Sequence, residues 1–225
     1  MIDKSTYAIF NNSKNKSLVF YQCPKNANSS AKLFFAKHIG VDQKLFFIED
    51  KIPRHCVKEH KALESQHKDK INLINFFPNY QKFGKVNCDI KCCITRNPLK
   101  RFVSSYKNRI LFHKDKSFFN LSINEILEKL EDGLFENRHF LTQAFFLGND
   151  LDYYDFAIDI SNAKLFEAKI NNFFGKEVLF PHIQTGGKEF EVELNIDQIN
   201  KVKQIYSEDY ELLRLTNSNN FISFS

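Results

Sequence analysis

An α/β fold with a largely parallel central sheet is predicted by three observations. Short apolar runs of strand length alternate along the chain with longer segments of helical periodicity, as expected where parallel strands are joined by crossover helices. Two of those runs, residues 17–22 (SLVFYQ) and 90–95 (IKCCIT), read as buried strands, and each is followed by a polar loop and then a helix. The 225 residues fit a single domain over 1–225, long enough to bury a sizeable core without disulfides or metal staples.

In chain order, the strand at 17–22 leads through CPKNANSS to a helix over 30–39, with Gly40 in the usual stop position. Residues 41–83 are weakly patterned, rich in Lys and His and broken by Pro53 and Pro78, so only short helices and loops are expected there. After the strand at 90–95, Pro98 suits the first turn of a helix in which Leu99, Phe102, Val103 and Tyr106 recur at helical spacing. Ser122 and Glu125 make a capping box for a helix carrying Ile123, Ile126, Leu127 and Leu130, ended by Gly133. A helix is expected over 137–147, stopped by Gly148, then a strand at 154–160 and a helix from after Ser161 to Gly175. The last helix starts near Asn195, with Gln198 at capping spacing and Ile196, Ile199, Val202 and Ile205 on one face.

The composition is that of a soluble globular protein, 43% hydrophobic, with 25 phenylalanines and no tryptophan, most of them read as core. The net charge of +5 is dispersed rather than gathered in a block, which argues against nucleic acid as a partner. The five cysteines, Cys23, Cys56, Cys88, Cys92 and Cys93, lack metal-site spacing, so they read as reduced structural thiols and no metal is expected. There is neither a signal-peptide pattern at the start nor an apolar run long enough to span a membrane, and the expected setting is the cytoplasm.

Two constellations carry chemistry. In the first, a helix N-terminus turns free N–H groups and a positive dipole end toward the loop before it. Asn28, Ser29 and Ser30 add short donors there, and Lys25 adds a cation at the loop tip. Taken alone, the stretch fits an anion site and a simple N-cap equally. It is not a Walker A loop, because G-x-x-x-x-G-K-[ST] is absent. In the second, TRNPLKRFVSSY, Arg96 ends a strand and Ser104 lies two turns into the next helix. A guanidinium and a hydroxyl so placed suit a terminal phosphate, although the motif taken alone fits better an Arg96 paired with a nearby acid and a Ser104 on the helix surface.

Together, in this order and each after a strand, CPKNANSS and RNPLKRFVSSY resemble the two cofactor motifs of sulfotransferases that use 3′-phosphoadenosine 5′-phosphosulfate, especially carbohydrate sulfotransferases of the family-2 type. RHFLTQAFFL resembles that family's His-x-x-Pro-Gln helix with Thr142 in place of proline, and the weaker match runs over about 18–213. The glutamate common after the following strand is missing, with Ser161 near its place. The resemblance implies a P-loop-like three-layer fold. It also implies Lys25 on the sulfate and bridging oxygen, Ser29 and Ser30 on the 5′-phosphate, and Arg96 with Ser104 on the 3′-phosphate; Asn28, a donor at the same helix start, is counted with the cofactor-binding residues. Adenosine 3′,5′-bisphosphate is the implied product, and a glycan, glycolipid or polysaccharide precursor the implied acceptor.

A base must take the proton of the acceptor hydroxyl. His60 is preferred because it lies between the motifs at a separation resembling the family's catalytic histidine, and His139 is the alternative base or acceptor-binding residue. His67 and His182 follow, and His38, His55 and His113 have no pattern in their favour. The loop at 184–190 (QTGGKEF) is a candidate cover for the nucleotide, since Gly186 and Gly187 permit close backbone approach, or an ordinary turn. Two rival readings stay open: a phosphoryl-transfer enzyme with a degenerate P-loop, and a nucleotide- or polyanion-binding module without catalysis.

Overall fold

The computed structural model describes residues 5–40, 47–48, 52–53, 71–76, 88–134, 137–182, 187 and 189–214. The sheet strands are β1 (Ser5–Asn11), β2 (Ser17–Tyr21), β5 (Ile71–Phe76), β6 (Ile90–Thr95) and β7 (Phe156–Asp159), with β3 (Phe47–Ile48) and β4 (Ile52–Pro53) forming a separate small pair. The spatial order is β5-β1-β2-β6-β7. β2, β6 and β7 pair in parallel, and β1 runs antiparallel to both β2 and β5, so four of the five strands share one direction.

The largely parallel α/β sheet is therefore as expected, with two additions. β1 lies in the N-terminal stretch, where no strand was expected, and β5 lies inside 41–83, which was given only short helices and loops. The two strands pair with each other, Ser5 opposite Phe76 through Phe10 opposite Ile71, and β1 also pairs with β2. Neither carries a strong periodicity; their pairing is a long-range property of the sheet.

The helices are α1 (Asn28–Ile39), α2 (Pro98–Tyr106), α3 (Ile123–Glu131), α4 (Gln143–Leu147), α5 (Ala163–Phe174), α6 (Ile196–Ile205) and α7 (Ser207–Leu212). Because side chains alternate along a strand, Leu18 and Phe20 of β2 meet Phe34 and Phe35 of α1 and Phe166 and Ile170 of α5 on one face. Val19 and Tyr21 meet Leu141, Phe146, Leu147 and Tyr154 on the other. Both faces are covered, which gives the three layers. A third cluster joins α2, α3 and α6 through Phe102, Tyr106, Leu127, Leu130, Val202 and Tyr206.

The capping predictions hold at α3, where Ser122 Oγ accepts from Glu125 N–H while the Glu125 carboxylate accepts from Ser122 N–H, and at α6, where Asn195 and Gln198 do the same. The helix expected over 137–147 is cut to α4. The carbonyls of His139, Phe140 and Leu141 are taken by Ser105 Oγ (2.8 Å), Tyr206 OH (2.7 Å) and Arg101 Nη1 (2.6 Å), side chains of other elements. Thr142 then caps a fresh helix by accepting from Phe145 N–H at 3.0 Å. The expected strand at 154–160 narrows to β7, and a 3-10 turn at Ile160–Asn162 precedes α5.

Candidate functional site

The parallel register sets Tyr21 beside Cys93 and Thr95 beside Asp159, so the loops after β2 and β6 leave the same edge of the sheet, side by side. The carboxyl ends of parallel strands are where α/β folds bind ligands.

In the first loop, Lys25 and Ala27 both adopt positive φ, 67° and 57°. Ala27 is the N-cap of α1, and no side chain caps the helix. The sequence left an N-cap and an anion site as equal readings; the cap is absent, because Asn28, Ser29 and Ser30 stand inside the first turn rather than ahead of it. α1 thus presents its N-terminal N–H groups and dipole to the loop, and its N-cap residue supplies no side-chain acceptor for them. The Asn28 amide oxygen is buried without a partner among the described residues.

In the second loop, Asn97 caps α2 by accepting from Lys100 N–H at 3.2 Å, and Pro98 takes the first helical position. Arg96 is tied to the first loop directly: its Nη1 donates to the Lys25 carbonyl at 2.9 Å. Arg101, fully buried on α2, reaches the same loop, with Nε donating to the Pro24 carbonyl at 3.0 Å. Two arginines therefore hold the carbonyls of adjacent loop residues. Ser104 is half-buried on α2 and makes no side-chain bond to the described residues.

Among the described residues, the charges that shift Lys25 and His139 are all positive. Burial first, then the positive charges of Arg96, Arg109 and Arg101, bring the Lys25 ammonium down to about 7. His139 lies in the same field: burial, then Arg109, Lys25, Arg138 and Arg101, hold its imidazole neutral, down to about 2, and its Nδ1 is buried without a partner among the described residues. Lys32, one turn into α1, is lowered to about 8 by burial and Arg138. Asp115 is committed to Arg109 through a two-pronged pair at 2.7 and 2.6 Å and also accepts from Asn137 at 2.7 Å, while Asp159 acts on Arg96. Desolvated cations gathered around one loop are stabilised by an anion placed among them.

The sequence-predicted residues Lys25, Asn28, Ser29 and Ser30 thus share one loop and helix start, with Arg96 hydrogen-bonded to that loop and His139 in the field of Lys25. His60, like His55 and His67, lies outside the described residues. His38 is away from the site, buried against the rings of Phe34 and Phe174. Of the loop at 184–190, Gly187, Glu189 and Phe190 are described, and Gly187 packs on the backbone of Lys107, where a Cβ would stand 2.9 Å from the carbonyl oxygen. Its close approach is to the chain that follows α2, where a π-helical turn, Lys107–Phe112, carries Arg109.

Sequence reasoning missed Arg109, Arg138 and Lys32, whose convergence is tertiary, and it gave no role to Asn26, Arg101 or Gln143. Arg101 and Gln143 were visible as motif positions, but their partners are backbone groups far away in sequence. Among the described residues no cluster of His, Cys, Asp and Glu is arranged to hold a metal ion, and no helix is long and apolar enough to cross a membrane.

No curated protein and no solved structure matches the chain. A family model, that of the sulfotransferase family, does match, over residues 9–173, and so takes in both loops, α1, α2 and the Gln143 segment. With most of its length inside that match, and with the paired motifs falling on two adjacent loops at the carboxyl edge of a parallel sheet, the chain belongs to the family-2 sulfotransferases.

Proposed function

We propose that this chain, as a single domain over 1–225, transfers a sulfuryl group from 3′-phosphoadenosine 5′-phosphosulfate to a hydroxyl of a carbohydrate, glycolipid or polysaccharide precursor. The observation that carries the reading is the join between the loops: an uncapped helix N-terminus with a desolvated lysine lies one hydrogen bond from Arg96. Such a surface suits an anion with two separated charged ends. The donor fits the residues present, since an anion beside Lys25 favours its charged form and meets the N-terminal N–H groups of α1.

Lys25 and the α1 N-terminus neutralise the charge that grows on the bridging oxygen as the S–O bond to the 5′-phosphate breaks and the acceptor oxygen bonds to sulfur. Asn28, Ser29 and Ser30 hold the 5′-phosphate, and Arg96 with Ser104 holds the 3′-phosphate. His60 takes the acceptor proton. His139 is the second reading for that role, favoured by its place in the field of Lys25 and its unpartnered Nδ1. Free, buried thiols at Cys23, Cys92 and Cys93 support a reducing, cytoplasmic setting.

The test has two arms. Adenosine 3′,5′-bisphosphate raises the thermal midpoint well beyond ATP at equal concentration, since a ligand of the folded state stabilises it by mass action and ATP lacks the 3′-phosphate. Labelled phosphosulfate with a panel of glycan acceptors then yields labelled product. Equal shifts from both nucleotides refute the donor; tight bisphosphate binding with no acceptor sulfated marks a non-catalytic module instead. Comparing His60→Ala with His139→Ala identifies the base by a loss of about two to four orders of magnitude in turnover.

A further inference from the structure

We infer that Gln143 is a positioning residue that locks the two donor loops into one unit, so that holding a 3′-phosphate orients the end where sulfuryl transfer occurs. The inference rests on the donor reading above and extends it to a residue with no contact to the donor. Gln143 is fully buried at the start of α4. Its Oε1 accepts from Arg96 N–H at 2.9 Å and from Asn26 Nδ2 at 2.7 Å, and its Nε2 donates to the Arg96 carbonyl at 2.7 Å. The amide is thus bonded to both backbone groups of Arg96 and to the side chain that follows Lys25. Its orientation is fixed, because a backbone N–H must donate and a carbonyl must accept.

The surroundings make this a latch rather than an incidental contact. Asn26, also fully buried, spends its other amide hydrogen on the Ile94 carbonyl of β6 at 2.8 Å. Asp209 of α7 anchors the next residue, accepting from Ala144 N–H at 2.9 Å. Arg101 closes the ring by joining the Pro24 carbonyl to that of Leu141. Lys25 and Arg96, the two charged residues of the proposed donor site, are each attached to this buried network by neighbouring backbone or side-chain groups. Shifting one loop relative to the other therefore breaks bonds that have no water to replace them.

The latch predicts a specific loss. Without it, each loop still binds its own phosphate, but the two no longer act on one rigid ligand. The experiment measures affinities of adenosine 3′,5′-bisphosphate and adenosine 5′-monophosphate by calorimetry for the wild type, Gln143→Leu and Gln143→Glu, each verified as folded by its thermal transition. In the wild type the added 3′-phosphate tightens binding by a large factor. In Gln143→Leu that factor falls at least tenfold, while the monophosphate is bound within about threefold of wild type. In Gln143→Glu the factor recovers as pH falls and the introduced carboxyl protonates, since a neutral acid again offers one acceptor and one donor to Arg96; the wild type at the same pH shows no such recovery. Equal weakening of both nucleotides, or an unchanged factor, overturns the latch and leaves Gln143 a stabilising residue only. A wild type that binds both nucleotides alike overturns instead the donor reading on which the latch rests.

Discussion

Binding of adenosine 3′,5′-bisphosphate should take up a proton, and Lys25 should be its main receiver. Burial and the neighbouring Arg96, Arg109 and Arg101 bring its ammonium down to about 7, so at pH 7.5 the free protein holds only about a quarter of a proton there. A phosphate beside the ammonium offsets the burial and the repulsion by direct attraction, and the bound lysine is charged. Uptake at pH 7.5 is therefore about 0.7–0.8 proton, and affinity falls about fiftyfold from pH 7 to pH 9 as the free lysine loses its charge. The sign in the free protein is the converse. Between about 7 and the ordinary lysine range the unfolded chain holds more protons than the folded one, so this group makes the unliganded fold more stable as pH rises. Titration calorimetry in two buffers of different ionisation enthalpy reads the uptake directly. Lys25→Met loses that component, and Lys25→Arg, which cannot neutralise, binds with little pH dependence. If wild type and Lys25→Met take up the same number of protons, Lys25 does not face the anion and the reasoning fails.

Three further outcomes follow from the same geometry. His38, buried against Phe34 and Phe174 and held neutral down to about 4 chiefly by burial and then by Lys176, binds its proton more readily in the unfolded chain; the fold loses up to about 3 kcal/mol from this group between pH 6.5 and 4, and denaturant titrations of His38→Phe lack that component. Gly187→Ala drives a Cβ to 2.9 Å from the Lys107 carbonyl at a φ of 101°, so it should cost about 1–3 kcal/mol of stability and displace the turn bearing Arg109, read as a lowered thermal midpoint with weakened bisphosphate binding. Burial pushes the Cys23 thiol up to about 12 and those of Cys92 and Cys93 well above their ordinary value, so a thiol reagent should label none of the three in the native protein within minutes and all of them once it is unfolded.

Much of the site was legible because its parts are local. A strand, a loop with a lysine and a helix start are written within residues 18–35, and Arg96, Pro98 and Ser104 lie within one strand end and one helix. The same locality made the capping boxes of α3 and α6 readable, since Ser122 with Glu125 and Asn195 with Gln198 meet across a single turn. The shortened α4 shows the opposite case. Residues 137–142 have helical character in isolation, yet Ser105, Tyr206 and Arg101 claim the carbonyls that a helix would have used, and none of these donors is near in sequence.

By itself, then, the sequence determined the parallel α/β core, the order of its main strands and helices, and the residues from which a phosphate-sized site could be built, because periodicity, capping and short motifs act over a few residues. Only the tertiary structure decided that β1 and β5 extend the sheet, that the two loops join through Arg96 and the Lys25 carbonyl, and that Arg109 lies in the field of both Lys25 and His139, with Arg138 beside His139. Strand pairing, desolvation and the field of distant charges depend on what packs where, and those quantities have no value until the chain is folded.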